Sequence, residues 1–260
     1  MTWWQGIILG LVQGVTEFLP VSSDGHLVVA EALLGMTLPG LTVEITVHVA
    51  TLLAVFIVYG GRGLEVVRKA LRGDQDGRRY LGLLLAASVP AGVVGIGFKS
   101  AFERAFDSPA MAAAGFLVTG LALWSTRRAA GRANAETLSY PGAFAIGVAQ
   151  AAAILPGVSR SGSTVATALW LGVGPVRAAE FSFLMSIPAI LGAAVLQLPE
   201  LSASAVAPLP LALAFGTALL VGVGAIKLLI RILERGAFYR FAPYCWAIGL
   251  VTGAWVLLGR

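Results

Sequence analysis

Long apolar runs set the first limit on what this chain can become. Four stretches, near Thr42–Tyr59, Tyr80–Phe98, Val176–Leu198 and Pro210–Ile232, approach the roughly 20 apolar residues that an α-helix needs to cross a bilayer. Ala110–Trp124 and Pro243–Leu258 are shorter and reach that length only with extended ends. Composition agrees: 58% of the 260 residues are hydrophobic and only 12% are charged. An average soluble domain has about 25% charged residues, so half of the usual solvating surface is missing. The expectation is an all-α, polytopic integral membrane protein. A net charge of +5 would point to nucleic acid in a soluble chain. Here the excess of Lys and Arg in cytoplasmic loops explains it, and no nucleic-acid partner is expected. Cys245 is the single cysteine, which excludes an internal disulfide and cysteine-based metal frameworks. No basic leader or small-residue cleavage site precedes the first apolar run, so no removable signal peptide is expected.

Two further apolar regions, Trp3–Gly35 and Pro141–Gly172, are interrupted midway by "LPVSSDGH" and "LPGVSRSGS". Neither half of either region is long enough to span, so each reads as a re-entrant helix–loop–helix with its break inside the membrane. The loops then orient the chain. Arg62 to Arg79 holds six basic residues, and the loops at Arg127–Arg132 and Arg231–Arg240 hold three arginines each. The alternate loops, Lys99–Asp107 and Leu198–Pro208, are poorer in Lys and Arg. Basic loops on the cytoplasmic side place the two broken regions on opposite faces, the first opening outward and the second inward.

A shift of 137 residues lays one broken region on the other without gaps. Gly10 meets Gly147, Gln13 meets Gln150, Val21 meets Val158 and Ser22 meets Ser159; Gly25 meets Gly162, Val28 meets Val165, Leu34 meets Leu171 and Gly35 meets Gly172. Chance supplies about two or three matches in such a composition, and it does not supply the Gln and Ser pairs. The expected organisation is a single membrane domain over 1–260 made of two repeats. Repeat 1, residues 1–126, carries a re-entrant hairpin over 3–35 and spans near 42–59, 80–98 and 108–126. Repeat 2, residues 140–260, carries a hairpin over 141–172 and spans near 176–198, 210–232 and 243–258. Three crossings per repeat make the topology inverted, an architecture common in transporters with sites at the midplane.

The scarce polar residues gather at the two breaks. In a bilayer, irregular backbone survives only where protein buries it or where it lines a wet cavity. Each second half-helix begins just after serines, Ser22 and Ser23 or Ser159 and Ser161, and serine favours the N-cap. A half-helix N-terminus presents free N–H groups and a partial positive charge, so two aimed at one point make an anion site suited to phosphate. Arg160 strengthens this, because an arginine at the bilayer centre costs about 2.5–3.5 kcal/mol and needs an anionic partner. Blander readings stand beside these. Arg160 and Glu17 would form a structural ion pair across the repeats, Glu17 would be a buried protonated carboxyl, the serines would be caps, and His26 would be a hydrogen-bonded core residue. Taken together, a hydroxyl, an imidazole, a carboxylate and an arginine can hydrolyse a phosphate ester or anhydride. A glutamate with an amide oxygen nearby can hold Mg²⁺ or Ca²⁺. Glu44 and His48, four apart, share one face of the first full span; they either buttress the site or satisfy each other, and the second is expected. Lys227 is expected to snorkel at the cytoplasmic end of its span.

Three motifs in order, "GLVQGVTEFLPVSSDGHL", "LPGVSRSGST" and "AAEFSFLMSIPAILGA", resemble those of the undecaprenyl-pyrophosphate phosphatases of the bacitracin-resistance type, over nearly the whole chain. The resemblance implies a multi-pass enzyme of the bacterial plasma membrane that removes the terminal phosphate of undecaprenyl pyrophosphate. It also implies carrier recycling for peptidoglycan and envelope polymers, bacitracin resistance, and dependence on a divalent cation, Mg²⁺ or Ca²⁺. Carried over by position, Gln13 and Glu17 match the (Glu/Gln)-x-x-x-Glu motif. Ser23, Gly25 and His26 match the loop serine, glycine and histidine, and Pro156, Gly157, Ser159, Arg160 and Ser161 match the Pro-Gly-x-Ser-Arg-Ser motif. The implied catalytic set is Glu17, Ser23, His26 and Arg160. The implied phosphate-binding set is Ser22, Gly25, Ser159, Arg160, Ser161 and Gly162, and the implied metal ligands are Glu17 and Gln13, with Asp24 a further candidate. Two positions depart from the pattern: Gln13 is the amide form of a site that is often Glu, and Asp24 stands where Ser or Thr is common. Asp24 then either restores the missing carboxylate, at the metal or beside His26, or only caps its half-helix. Ser23 either attacks phosphorus or orients it. The alternative to a phosphatase is a transporter or flippase of a phosphorylated isoprenoid lipid, which needs anion binding but no proton shuttle.

Overall fold

The computed structural model describes residues 1–33, 42–106, 108–129, 138–197 and 207–259. The end of the first hairpin at Leu34 and Gly35, the 130–132 part of one basic loop and most of the 198–208 loop lie outside the described residues. The described chain is helical: α1 (Trp3–Thr16), α2 (Ser23–Leu33), α3 (Thr42–Leu71), α4 (Gln75–Gly97), α5 (Lys99–Phe106), α6 (Pro109–Ser125), α7 (Tyr140–Ala152), α8 (Arg160–Trp170), α9 (Pro175–Gln197), α10 (Pro208–Glu234) and α11 (Ala242–Leu257), with a 3₁₀ turn at Phe238–Phe241.

Local chemistry sets most of these ends. Thr2 caps α1 in a reciprocal box with Gln5, and Asp74, Ser108, Ser139 and Ser159 accept backbone N–H bonds at the starts of α4, α6, α7 and α8. Such caps satisfy amides that have no partner within the helix. Four helices, α3, α4, α9 and α10, are long and apolar enough to cross a membrane. The 17-residue α6 and 16-residue α11 are only about 25 Å long at 1.5 Å per residue. The 14-residue α1 and 13-residue α7 are shorter still, as expected for halves of broken segments. Outward-facing Ile57, Val93, Ile96, Leu121, Leu220 and Val251 are each more than half exposed, an apolar exterior that suits lipid.

Two loop expectations are corrected. Arg62–Arg79 is mostly helix: α3 continues to Leu71 and α4 starts at Gln75, leaving a turn at Arg72–Asp74. The extension is held by Glu65, which pairs with Arg62 at 2.9 Å and Lys69 at 2.7 Å, pairs that helical i,i+3 and i,i+4 spacing brings together. Arg62 also reaches Glu180 of α9 at 2.9 Å, where Tyr80 of α4 donates to the same oxygen at 3.2 Å. Likewise Lys99–Phe106 is a short helix, bent by 97° from α6.

The helices pair in a regular way. Gly6, Gly10 and Gly14 of α1 face the Pro210, Ala214 and Ala218 carbonyls of α10 in that order, so the two helices run parallel with backbones in close approach. Tyr140 and Gly147 of α7 meet Gly82 and Ala87 of α4 in the same parallel sense. α3 also runs parallel to α10, with Val47 and Ala50 against Ala214 and Ala218, and Ala54 against Gly222. α6 and α11 cross antiparallel, Gly120 on Trp246 and Gly249 on Ala113. Helix starts recur along the chain: Trp3 and Ser23 are followed 137 residues later by Tyr140 and Arg160, while Thr42, Gln75 and Pro109 are followed 133 residues later by Pro175, Pro208 and Ala242.

Candidate active site

Polar side chains concentrate where the two broken segments meet. α1 ends at Thr16, and Glu17 caps it through its N–H to the Gln13 carbonyl. The turn through Pro20 reaches Ser22 at φ +69°, a left-handed conformation that non-glycine residues rarely adopt and that clusters at functional sites. Ser22 Oγ then accepts the Gly25 N–H at 3.3 Å, opening α2. In the second segment, Gly157 takes φ +83°, and Ser159 Oγ accepts the Gly162 N–H at 3.0 Å, opening α8. Thr119 of α6 pins this break twice: its hydroxyl donates to the Gly157 carbonyl and accepts the Ser159 N–H, both at 2.8 Å. The breaks interlock, since a Cβ on Gly25 would stand 2.8 Å from the Gly157 Cα. Ser161 Oγ also donates to the Leu19 carbonyl at 3.3 Å.

Glu17 is the hub. Its Oε2 accepts Ser23 Oγ–H at 2.7 Å and Gln13 Nε2 at 3.2 Å, while its Oε1 accepts Nη2 of Arg160 from the other segment. The carboxylate is 6% exposed and the guanidinium 16%. In so dry a setting the two charges stabilise each other only because further hydrogen bonds satisfy them. Arg160 Nη1 is nevertheless buried without a partner, as are Gln13 Oε1 and both polar side-chain atoms of Gln150. Orphaned buried donors and acceptors are costly, and at a junction of helix N-termini the Arg160 Nη1 donor is placed for an anion.

Sequence reasoning brings together Gln13, Glu17, Ser23 and Arg160, and the structure places all four in one network. Ser22 and Ser159 are the caps of α2 and α8. Ser161 instead bonds to Ser159 Oγ at 3.3 Å and to the opposite break. His26 is held elsewhere: Nδ1 lies 2.7 Å from the Ser22 carbonyl and Nε2 2.7 Å from Tyr244 Oη, with Phe116 edge-on to the ring. Asp24 faces His48 rather than His26, with His48 Nε2 3.5 Å from Asp24 Oδ1 and 3.9 Å from Glu17 Oε2. The expectation that Glu44 and His48 satisfy each other is therefore corrected. His48 Nδ1 bonds to the Glu44 backbone carbonyl at 2.8 Å, and its other nitrogen turns into the site. Tyr244 and Thr119 carried no sequence signal, because a tyrosine or threonine inside an apolar helix belongs to no motif.

The donor chemistry for a divalent cation fits in part. Gln13 Oε1 is an orphan oxygen beside Glu17, an oxygen pair of the kind Mg²⁺ and Ca²⁺ take, while the Asp24 carboxylate is turned to His48. Among the described residues, no three His, Cys, Asp or Glu side chains form a ready metal cluster.

Comparison with known proteins supplies a family. Residues 6–251 match the family model described as bacitracin resistance protein BacA. A protein of Desulfosudis oleivorans named undecaprenyl-diphosphatase is 45% identical, covering 95% of this chain and 96% of its own length. Proteins of the same name from Desulfatibacillum aliphaticivorans and Salinibacter ruber are 40% and 41% identical, covering 96% and 99% of this chain and 97% and 100% of their own lengths. Near-full-length likeness at this level, with Gln13, Glu17, Ser23 and Arg160 of the motifs gathered in one buried network, makes the chain a member of the BacA bacitracin-resistance family.

Proposed function

We propose that this protein is a membrane phosphatase that cleaves undecaprenyl pyrophosphate to undecaprenyl phosphate and inorganic phosphate. It thereby returns the lipid carrier to peptidoglycan and envelope-polymer synthesis. Bacitracin sequesters the pyrophosphate form, so faster turnover removes the antibiotic's target. The observation that carries this reading is the single Glu17 carboxylate that binds the Ser23 hydroxyl of one break and Arg160 of the other.

That geometry supports a two-step displacement. Ser23 Oγ attacks the terminal phosphorus while Glu17 Oε2, 2.7 Å away, takes its proton. The bond from that phosphorus to the bridging oxygen breaks, and undecaprenyl phosphate leaves. Water then attacks the phosphoserine, releases inorganic phosphate and restores the hydroxyl. Arg160 Nη1 and the amides opening α2 and α8 hold the phosphoryl oxygens as charge shifts among them. His26, fixed between the Ser22 carbonyl and Tyr244, lines the wall of the same break and serves proton transfer to bulk. A divalent cation, held by Gln13 and Glu17, would neutralise diphosphate charge. A Ser23 phosphoserine trapped by a rapid quench supports this route. Inversion of configuration at phosphorus, read with a chiral labelled terminal phosphoryl group and without a trapped adduct, overturns it.

The helix directions support two inverted repeats. α3 and α4 form a tight hairpin and so run antiparallel, α10 and α1 run with α3, and α7 runs with α4. The two broken segments thus enter from opposite faces, as the basic loops require for a bacterial plasma membrane. Such a frame would serve a flippase equally well, but a flippase has no use for the Ser23–Glu17 bond. The deciding experiment is phosphate release from undecaprenyl pyrophosphate by the purified protein in detergent, with and without Mg²⁺ or Ca²⁺. Metal-dependent release that Arg160→Ala abolishes supports the phosphatase. No release from well-folded protein turns the reading to lipid transport.

A further inference from the structure

His48 lies on α3, outside the motifs that carry the family resemblance, yet its ring enters the site. One end is fixed: the Glu44 carbonyl can only accept, so Nδ1 donates to it at 2.8 Å. Nε2 then faces two carboxylates, Asp24 Oδ1 at 3.5 Å and Glu17 Oε2 at 3.9 Å. These carboxylates come from the two sides of the first break, Glu17 from the end of α1 and Asp24 from the first turn of α2. The Asp24 and His48 side chains are each 25% exposed, against 6% for Glu17, so the two form the open flank of an otherwise closed network. Glu17 Oε2 is also the oxygen that receives the Ser23 hydroxyl. Anything that draws His48 toward Oε2 competes with that bond.

We propose that Asp24 and His48 are a coupled positioning pair, in which Asp24 holds the imidazole and the imidazole in turn sets the Glu17 edge that Ser23 uses. The inference rests on the phosphatase reading and goes beyond it to two residues. Loss of Asp24 alone leaves Glu17 as the carboxylate facing Nε2, with Glu44 on the ring's own helix also near enough to act on it, so the ring is drawn onto Oε2 against Ser23. Loss of His48 alone leaves the Asp24 and Glu17 carboxylates without the imidazole between them. Loss of both removes the carboxylate and the imidazole that faces it together and leaves Ser23, Glu17 and Arg160 bonded as before. The pair gives the aspartate, which stands where Ser or Thr is common, a partner from a different helix.

The test is a double-mutant cycle on phosphate release from undecaprenyl pyrophosphate, using Asp24→Ser, His48→Gln and the double variant in detergent at fixed divalent cation. Each single change is expected to lower kcat about tenfold or more with KM little altered. The double variant is expected to recover to within about threefold of wild type, a non-additivity typical of contacting residues in one network. Elution profile and melting temperature confirm that all four proteins are folded. A structural role alone would shift melting without this split or recovery. Losses that multiply in the double variant, or an Asp24→Ser protein with wild-type kcat, overturn the pair while leaving the phosphatase standing. A folded wild type that releases no phosphate overturns both.

Discussion

Arg160 and Glu17 show how a residue that is costly in lipid becomes useful. Arg160 uses one guanidinium nitrogen on Glu17 and leaves Nη1 buried and unpaired, so the desolvated donor is fixed in place before substrate arrives. Arg160→Ala is expected to lower kcat by about 10²–10³-fold, the usual effect of losing one preorganised charge-stabilising donor. Arg160→Lys recovers little of that loss, since a point charge cannot bridge Glu17 and a phosphoryl group as a planar fork does. Tyr244→Phe removes the partner of His26 Nε2. A drop in kcat of up to about tenfold is expected, the scale of one neutral hydrogen bond, measured in the same phosphate-release assay. At this scale the sequence picked out Gln13, Glu17, Ser23 and Arg160, which the structure joins in one network, because Gln, Glu, Ser and Arg stand out in an apolar chain. The same reasoning set Glu44 and His48 against each other. Spacing by four brings two residues to one helix face but does not say what lies across from that face.

Among the elements, the two breaks gather the polar network, and both turn through left-handed backbone, at Ser22 and at Gly157. Gly157 combines φ +83° with a position where a Cβ would collide with the Ala112 carbonyl of α6. Gly157→Ala is expected to destabilise the protein by about 1–3 kcal/mol and to lower activity further by displacing Ser159 and Arg160; thermal unfolding in detergent and phosphate release check the two effects. Thr119→Val leaves the buried Ser159 N–H without its acceptor, a loss of about 1–3 kcal/mol, and is expected to lower kcat while the mature fold persists. Helix ends were less legible than breaks. The run of basic residues from Arg62 to Arg79 read as a loop. The Glu65 pairs and the contact with Glu180 carry the helix on to Leu71.

As a whole, the molecule is an apolar bundle with its polar groups at the junction of two half-crossings, and its orientation can be read chemically. In a Cys245→Ala background, a single cysteine at Arg72 is expected to react with an impermeant thiol reagent only in inside-out vesicles. One at Lys99 is expected to react only in right-side-out cells. The opposite pattern would reverse the orientation. Hydropathy was enough to establish a helical membrane protein with several apolar spans, and its interruptions at Pro, Gly and Ser fall at the breaks between α1 and α2 and between α7 and α8, because lipid forbids unpaired backbone. Counting Lys and Arg led to the expectation of opposed re-entrant segments, which the labelling pattern tests. Which imidazole faces Glu17, which residue holds His26 and how Thr119 joins the two ends of the second break were decided by packing alone. Those contacts join helices far apart in the chain. Each depends on the rotation of one helix against another, which glycine approaches such as Gly10 on Ala214 set and no local pattern encodes.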